Sequence, residues 1–232
     1  MPVIPVISVS EAMFKIKICG VRTSDDLRAV SQAGGDAVGL NFFPRSVRYL
    51  PPNTQHTRQI SAEAGKLSLT RVGVVVNMTR PDIEQLLQTI PLDAIQLHGD
   101  ELPSEAPQWK ILGVPLIRAI KLPTGEISAS KIDELCQPWL DNGFHPLFDA
   151  DAGASHGGVG KQIDWESINK WRELNPDQAF TLAGGLTPKN VSEAINISGT
   201  QSVDTASGVE EPRGTKNSAL IREFVRNCSL PR

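Results

Sequence analysis

Short apolar runs recur along this chain, each ended by a polar residue or a glycine and each followed by room for a helix. The first is Lys15-Ile16-Lys17-Ile18-Cys19, where polar and apolar residues alternate before Gly20 lets the chain turn. Thr23-Ser24-Asp25-Asp26 then offers N-cap and acidic first-turn residues for a helix to about residue 33, which Gly34-Gly35 closes. Asp36-Ala37-Val38-Gly39-Leu40-Asn41-Phe42 is a second, nearly continuous run, followed by the polar and basic loop Phe43-Pro44-Arg45-Ser46-Val47-Arg48-Tyr49. A helix around 54–64 leads to Arg71-Val72-Gly73-Val74-Val75-Val76, ended by Asn77. Pro81 sits in the first turn of the next helix, where its missing N–H costs nothing.

The second half repeats the pattern. Ala94-Ile95-Gln96-Leu97 ends in His98-Gly99, and residues 115–120 form the fifth run, with a helix over 127–140 behind it. Pro146-Leu147-Phe148 ends in Asp149, after which Ala150 is expected to have left the strand. A loop with Gly153, Gly157, Gly158 and Gly160 precedes a helix over 164–171. Residues 179–182 run into Ala183-Gly184-Gly185-Leu186. Ser202-Val203 ends in Asp204 with Ser207-Gly208 behind it, and a last amphipathic helix covers 217–226. Eight short strands alternating with helical stretches predict a parallel sheet, and eight repeats close into a (β/α)8 TIM barrel. An open doubly wound sheet would need a glycine fingerprint after its first strand, and this chain has none. No linker breaks the pattern, so residues 13–232 are expected to be one catalytic domain and residues 1–12 an arm.

Composition narrows the function. A length of 232 residues suits one such barrel. A net charge of −3, no basic run and 5% aromatic residues argue against a nucleic-acid surface. Three widely spaced cysteines read as reduced thiols of a cytoplasmic protein rather than a disulfide framework. No apolar run reaches membrane-spanning length, and the opening residues lack a basic flank and are broken by Pro2 and Pro5, unlike a signal peptide. His56, His98, His145 and His156 show no ligand spacing, so neither metal nor cofactor is expected.

In such a barrel the strand ends converge on one face, the C-terminal one, which gathers Cys19, Asn41, Asn77, His98, Asp149 and Asp204. Singly each has a plainer reading. A strand-end Asp or Asn caps the next helix, and a lone Cys packs as a small hydrophobe. Together they make an acid–base set around one mouth. Glycine turns at Gly184-Gly185 and Ser207-Gly208, after strands seven and eight, stand where these barrels bind phosphate on backbone N–H groups. Gly158-Val159-Gly160-Lys161-Gln162 is not a P-loop, since its first glycine is missing and Gln162 replaces the magnesium-binding hydroxyl. Nor is it a dinucleotide fingerprint, because Ile163 occupies the place of the third glycine.

Several of these segments carry a family resemblance. Lys17-Ile18-Cys19-Gly20, Asp36-Ala37-Val38-Gly39, the loop from Phe43 to Tyr49, Gln96-Leu97-His98-Gly99 and Phe148-Asp149 resemble phosphoribosylanthranilate isomerases of tryptophan biosynthesis. So do Gly157-Gly158-Val159-Gly160-Lys161 with Asp164-Trp165, Leu182-Ala183-Gly184-Gly185-Leu186, and Val203-Asp204 with Ser207-Gly208-Val209-Glu210. The resemblance runs in order from about Phe14 to Phe224. It implies an Amadori rearrangement of N-(5-phosphoribosyl)anthranilate to 1-(2-carboxyphenylamino)-1-deoxyribulose 5-phosphate.

The resemblance also implies roles. Asp149 would be the general acid that opens the furanose ring. Cys19 would be the thiolate base at C2, its pKa lowered by an electropositive mouth beside a protonated Schiff base. Arg48 would hold the anthranilate carboxylate, His98 and Asp204 would support the substrate, and Gly184, Gly185, Ser207 and Gly208 would seat the phosphate. The expected ligand is a phosphorylated small molecule and the expected assembly a monomer or weak homodimer. Ala206 stands where the family often has a second serine, Asn217 replaces a common acidic residue, and Asp151 is a second candidate for the acid. Two other readings are another sugar-phosphate isomerase of this barrel type and a non-catalytic phosphometabolite-binding barrel. Cys19 argues against the histidine-biosynthesis counterpart, which uses two aspartates, and Cys19 with Asp149 argues against a binding protein.

Overall fold

The computed structural model describes residues 12–150 and 162–228. Eight parallel strands form a closed barrel in sequential order. They are β1 (Ile16–Cys19), β2 (Ala37–Asn41), β3 (Thr70–Val75), β4 (Ala94–Leu97), β5 (Leu116–Leu122), β6 (His145–Ala150), β7 (Thr181–Leu182) and β8 (Val203–Thr205). Between and after them lie α1 (Ser24–Ala33), α2 (Gln55–Lys66), α3 (Arg80–Thr89), α4 (Ala106–Trp109), α5 (Ala129–Leu140), α6 (Trp165–Leu174), α7 (Val191–Ser198) and α8 (Ser218–Asn227). The (β/α)8 expectation is met.

The helix starts lie where the capping residues put them. Thr23 and Asp26 form a reciprocal capping box at α1, and Thr54, Thr79, Ser128 and Asp164 cap α2, α3, α5 and α6 with their side-chain oxygens. Asn217, one of the departures from the family pattern, caps α8 by accepting from the N–H groups of Ala219 and Leu220. Two helices were not apparent in the sequence. One is α7. The other is the single turn α4, flanked by 3₁₀ turns, where Pro103 and Pro107 start helices but Gly113 in the left-handed region ends them early.

One expectation about β6 is corrected. Ala150 has not left the strand, because β5 runs on to Leu122 and supplies partners for both Asp149 and Ala150. Asp204 likewise lies inside β8, opposite Lys17. Asp149 and Asp204 are therefore held by sheet pairing on strands, not by the start of a loop.

The barrel has two apolar regions. A large one fills the space between strands and helices. A smaller one, with Phe14, Ala37, Val72, Ala94, Ile117 and Leu147, lies within the barrel. Lys17 pairs with Ala37 and so faces inward with it, and Cys19, Gln96 and Asp149 follow two residues along their strands on the same side. Ala37, Gly39, Ala94 and Ala119 keep this interior uncrowded, which leaves room for polar side chains above the apolar floor.

Candidate active site

The mouth is built around Cys19, and two glycines make its space. Gly39 is the β2 partner of Cys19, and a Cβ there would stand 2.6 Å from the Cys19 Sγ. Gly20 has φ +79°, and a Cβ on it would meet the Cδ of Arg48 at 2.3 Å, so the Arg48 stem crosses the turn just after Cys19. Below Cys19 the Lys17 ammonium lies 2.9 Å from the Asp204 carboxylate, both buried. Among the described residues neither Lys17 Nζ nor Asp204 Oδ1 has a well-aligned hydrogen bond, so their contact is an ion pair first. Burial disfavours the Lys17 charge, yet Asp204, Cys19 and Asp149 together hold its pKa above the ordinary lysine value. Lys17 thus sits electrostatically between the two proposed catalytic groups.

The protein's own groups do not lower the Cys19 pKa. Burial pushes the thiol up, Lys17, Lys216 and Arg48 pull it down, Asp204 pushes it up again, and the net direction is upward. The cations are present, but by themselves they do not outweigh desolvation.

Arg48 does not stand alone. Its Nε and Nη2 donate to the two carboxylate oxygens of Glu210 at 2.6 and 2.7 Å. Lys216 Nζ donates to the same carboxylate at 2.8 Å and to the carbonyl oxygen of Ala206 at 2.8 Å. Gly214 N–H completes the set with a 2.8 Å bond to Glu210 Oε2. Burial would raise the Glu210 pKa, but Arg48, Lys216 and the Gly214 N–H bring it down to about 2. Sequence reading missed Glu210 and Lys216 as partners of Arg48. Glu210 lies in a stretch that carries the family resemblance, but nothing local ties it to a residue 162 positions away.

On the opposite side, His98 Nε2 lies 3.1 Å from Asp149 Oδ2, and His98 Nδ1 lies 2.7 Å from the side-chain nitrogen of the fully buried Gln96. Asp149 Oδ1 accepts from the N–H of Ala150. His98 therefore contacts the proposed acid directly. Asp151 lies outside the described residues, as does the glycine stretch around Gly157. Asn41 and Asn77, also gathered at the mouth by sequence, serve turns. Asn41 accepts from Phe43 N–H, and Asn77, at φ +50°, accepts from Asp100 N–H. Beneath the turns after β3 and β4, Glu101 accepts from the N–H groups of Asn77 and Gly99 and pairs with buried Arg118, whose guanidinium stacks 4.6 Å from the Trp139 ring centre.

The late glycine turns meet each other. Gly184 and Gly185 both have positive φ, and a Cβ on Gly184 would lie 2.8 Å from Ala150 N and 3.3 Å from Asp149 Oδ1. Ser207 opens a 3₁₀ turn over Ser207–Val209, and a Cβ on Gly208 would fall 1.9 Å from the carbonyl oxygen of Leu186, which also accepts from Thr205 Oγ1. Gly208→Ala should consequently destabilise the fold by more than about 1 kcal/mol, whereas Gly125→Ala, in open space, should shift stability by less than that in either direction. Denaturant titration of the two variants checks this, and equal stabilities would remove the steric account.

The profile of the family described as N-(5'phosphoribosyl)anthranilate (PRA) isomerase matches residues 16–227. The N-(5'-phosphoribosyl)anthranilate isomerase of Azotobacter vinelandii is 34% identical over 217 residues, covering 93% of this chain and 97% of that one. The enzyme of the same name from Zygosaccharomyces bailii is 34% identical over 211 residues, covering 90% and 95%. Among solved structures, the phosphoribosyl anthranilate isomerase of Thermotoga maritima superposes with a TM-score of 0.79 at 32% identity, over 93% of this chain and 98% of its own. A phosphoribosyl anthranilate isomerase in complex with reduced 1-(o-carboxyphenylamino)-1-deoxyribulose 5-phosphate gives 0.76 at 30% identity, with the same coverage. Among the described residues, no helix is long and apolar enough to cross a membrane.

Proposed function

The chain belongs to the N-(5'-phosphoribosyl)anthranilate isomerase family, and from that premise we propose which of its residues carry the reaction. The enzyme converts N-(5-phosphoribosyl)anthranilate to 1-(2-carboxyphenylamino)-1-deoxyribulose 5-phosphate in tryptophan biosynthesis. The observation that carries the assignment is that Cys19 and Asp149 are both buried and face the same barrel interior from β1 and β6, while Arg48 reaches across Gly20 beside the thiol.

Asp149, protonated, gives its proton to the furanose ring oxygen as the bond from C1 to that oxygen breaks, and the nitrogen lone pair forms the C1=N⁺ iminium. Cys19, as thiolate, removes the proton from C2. The C–H electron pair becomes the C1=C2 bond, and the C=N pair returns to nitrogen, giving an enolamine. Ketonisation then adds a proton at C1 and releases one from the C2 hydroxyl. Those two protons balance the ones now held by Cys19 and missing from Asp149, so both groups end as they began. The iminium is a cation formed next to the thiol, and it adds to the pull of Lys17, Lys216 and Arg48 against the desolvation that raises the thiol pKa. His98, backed by Gln96, fixes the Asp149 carboxyl in direction, and Asp204 holds Lys17. The phosphate rests on backbone of Gly184, Gly185, Ser207 and Gly208, a reading supported by the left-handed turn of the first pair and the 3₁₀ turn of the second. Free thiols at Cys19, Cys136 and Cys228 support a reducing compartment, the cytoplasm.

Arg48 takes the carboxylate on the aromatic ring, for which its planar fork is suited. Arg48→Ala should lower kcat/KM for the natural substrate by about 2 kcal/mol of transition-state stabilisation, roughly thirtyfold. An analogue lacking the ring carboxylate should lose little. Steady-state kinetics on the two substrates decides it, and equal losses would assign Arg48 to the fold.

A further inference from the structure

Arg48 offers two donor edges, and only one is used within the protein. The Nε–Nη2 edge lies on Glu210, while Nη1 donates to nothing among the described residues. Glu210 is itself fixed without help from any ligand. Its side chain is 1% exposed, and Lys216 Nζ and Gly214 N–H hold its two oxygens. The loop that carries it is closed by Glu211 N–H to Thr215 O, Thr215 N–H to Pro212 O and Asn217 N–H to Val209 O, and it is tied to the β1 end by Arg22 Nη2 donating to Gly214 O. The cluster of Arg48, Lys216 and Glu210 carries two positive charges and one negative, a net surplus of one cation beside the neutral thiol.

We infer that Glu210 is a positioning residue for substrate recognition: it grips Arg48 by the Nε–Nη2 edge, so that the Nη1–Nη2 edge is presented to the ring carboxylate. This rests on the proposed role of Arg48 and extends it. A carboxylate that competed with substrate would occupy the outward edge and be held weakly elsewhere. Glu210 does neither. Lys216 serves the same end at one remove, by holding Glu210 and the Ala206 carbonyl together.

The test is a ratio, kcat/KM for the natural substrate over kcat/KM for the analogue without the ring carboxylate. Glu210→Gln keeps the shape but loses the charged two-point grip, leaving Arg48 free to swing. Misplacement of a substrate-holding group by about 1 Å costs up to about a hundredfold, so the ratio should fall at least tenfold, mainly through KM of the natural substrate. A merely structural role would lower both substrates alike and leave the ratio unmoved. Lys216→Met removes one donor to Glu210 while keeping the Arg48 bonds, and should lower the ratio less, in the same direction. Should Glu210→Gln not fold, the Lys216→Met ratio decides alone. An unchanged or higher ratio overturns the inference, the higher value because it would mark Glu210 as a competitor. Arg48→Ala in the same assay separates the two readings. If it levels the ratio while Glu210→Gln does not, only the positioning role falls. If Arg48→Ala leaves the ratio intact, the carboxylate assignment falls first.

Discussion

Cys19→Ser should fall in turnover by about 10²-fold to 10⁴-fold, the range for loss of a positioned acid–base group, while remaining folded. Serine fits wherever the cysteine does, since Gly39 already leaves room at the Sγ position. Its hydroxyl is a far weaker acid than a thiol, so the same cations cannot make it a base. The stability cost is that of burying one hydroxyl without an assured partner, about 1 kcal/mol. A pH profile adds a readout that a packing role would not move. Because burial raises the Cys19 pKa despite Lys17, Lys216 and Arg48, kcat/KM, which reports the free enzyme, should still be rising at and above the ordinary thiol pKa. The corresponding limb in kcat should lie at lower pH, since the bound iminium adds a positive charge beside the thiol. Turnover within tenfold of the starting enzyme, or a limb that survives in Cys19→Ser, would place the base elsewhere.

The strands were legible because each is a short apolar run with a hard stop, and the helix starts because Thr23, Thr54, Thr79, Ser128 and Asp164 are cap residues that cap. Less legible was the role of Lys17. In Lys15-Ile16-Lys17-Ile18 the alternation suggests lysines facing solvent, as on a half-buried strand. A barrel strand has no solvent face, and the parity that makes Lys17 polar puts it inside with Cys19, against Asp204. Its parity with Cys19 was the available signal. The end of β6 was misplaced because strand length is set by the neighbour, and β5 reaches Leu122. Glu210 and Lys216 escaped for a different reason. A residue that acts by holding another across 162 positions leaves no local pattern, and closure of the barrel alone brings β8's loop onto the loop after β2. The upward push on the free Cys19 thiol was not legible, because sequence can count nearby cations but not the desolvation that opposes them.

Asp149→Asn should nearly abolish turnover, again by about 10²-fold to 10⁴-fold, and leave affinity for a reduced product analogue close to that of the starting enzyme. The amide has the shape of the carboxyl and its oxygen still accepts a hydrogen bond, from His98 Nε2 or from the Ala150 N–H. The side chain therefore stays aimed where sheet pairing with Lys121 holds it. What it loses is the proton needed when the ring oxygen departs, a demand absent when an open-chain analogue binds. Loss of turnover without loss of binding thus isolates the chemical step. Asp151, two residues on, remains the competing acid. Ala150 is itself paired in β6, so the strand does not end at Asp149 as the sequence suggested. What supports Asp149 as the acid is contact. Asp149 touches His98, and Gly184 packs against its carboxylate Oδ1 and the Ala150 N–H, so its carboxyl is fixed by groups that face the mouth. Asp151→Asn should therefore cost much less turnover than Asp149→Asn under the same conditions. The reverse ranking would move the acid to Asp151 and leave His98 holding a carboxylate with a purely supporting role.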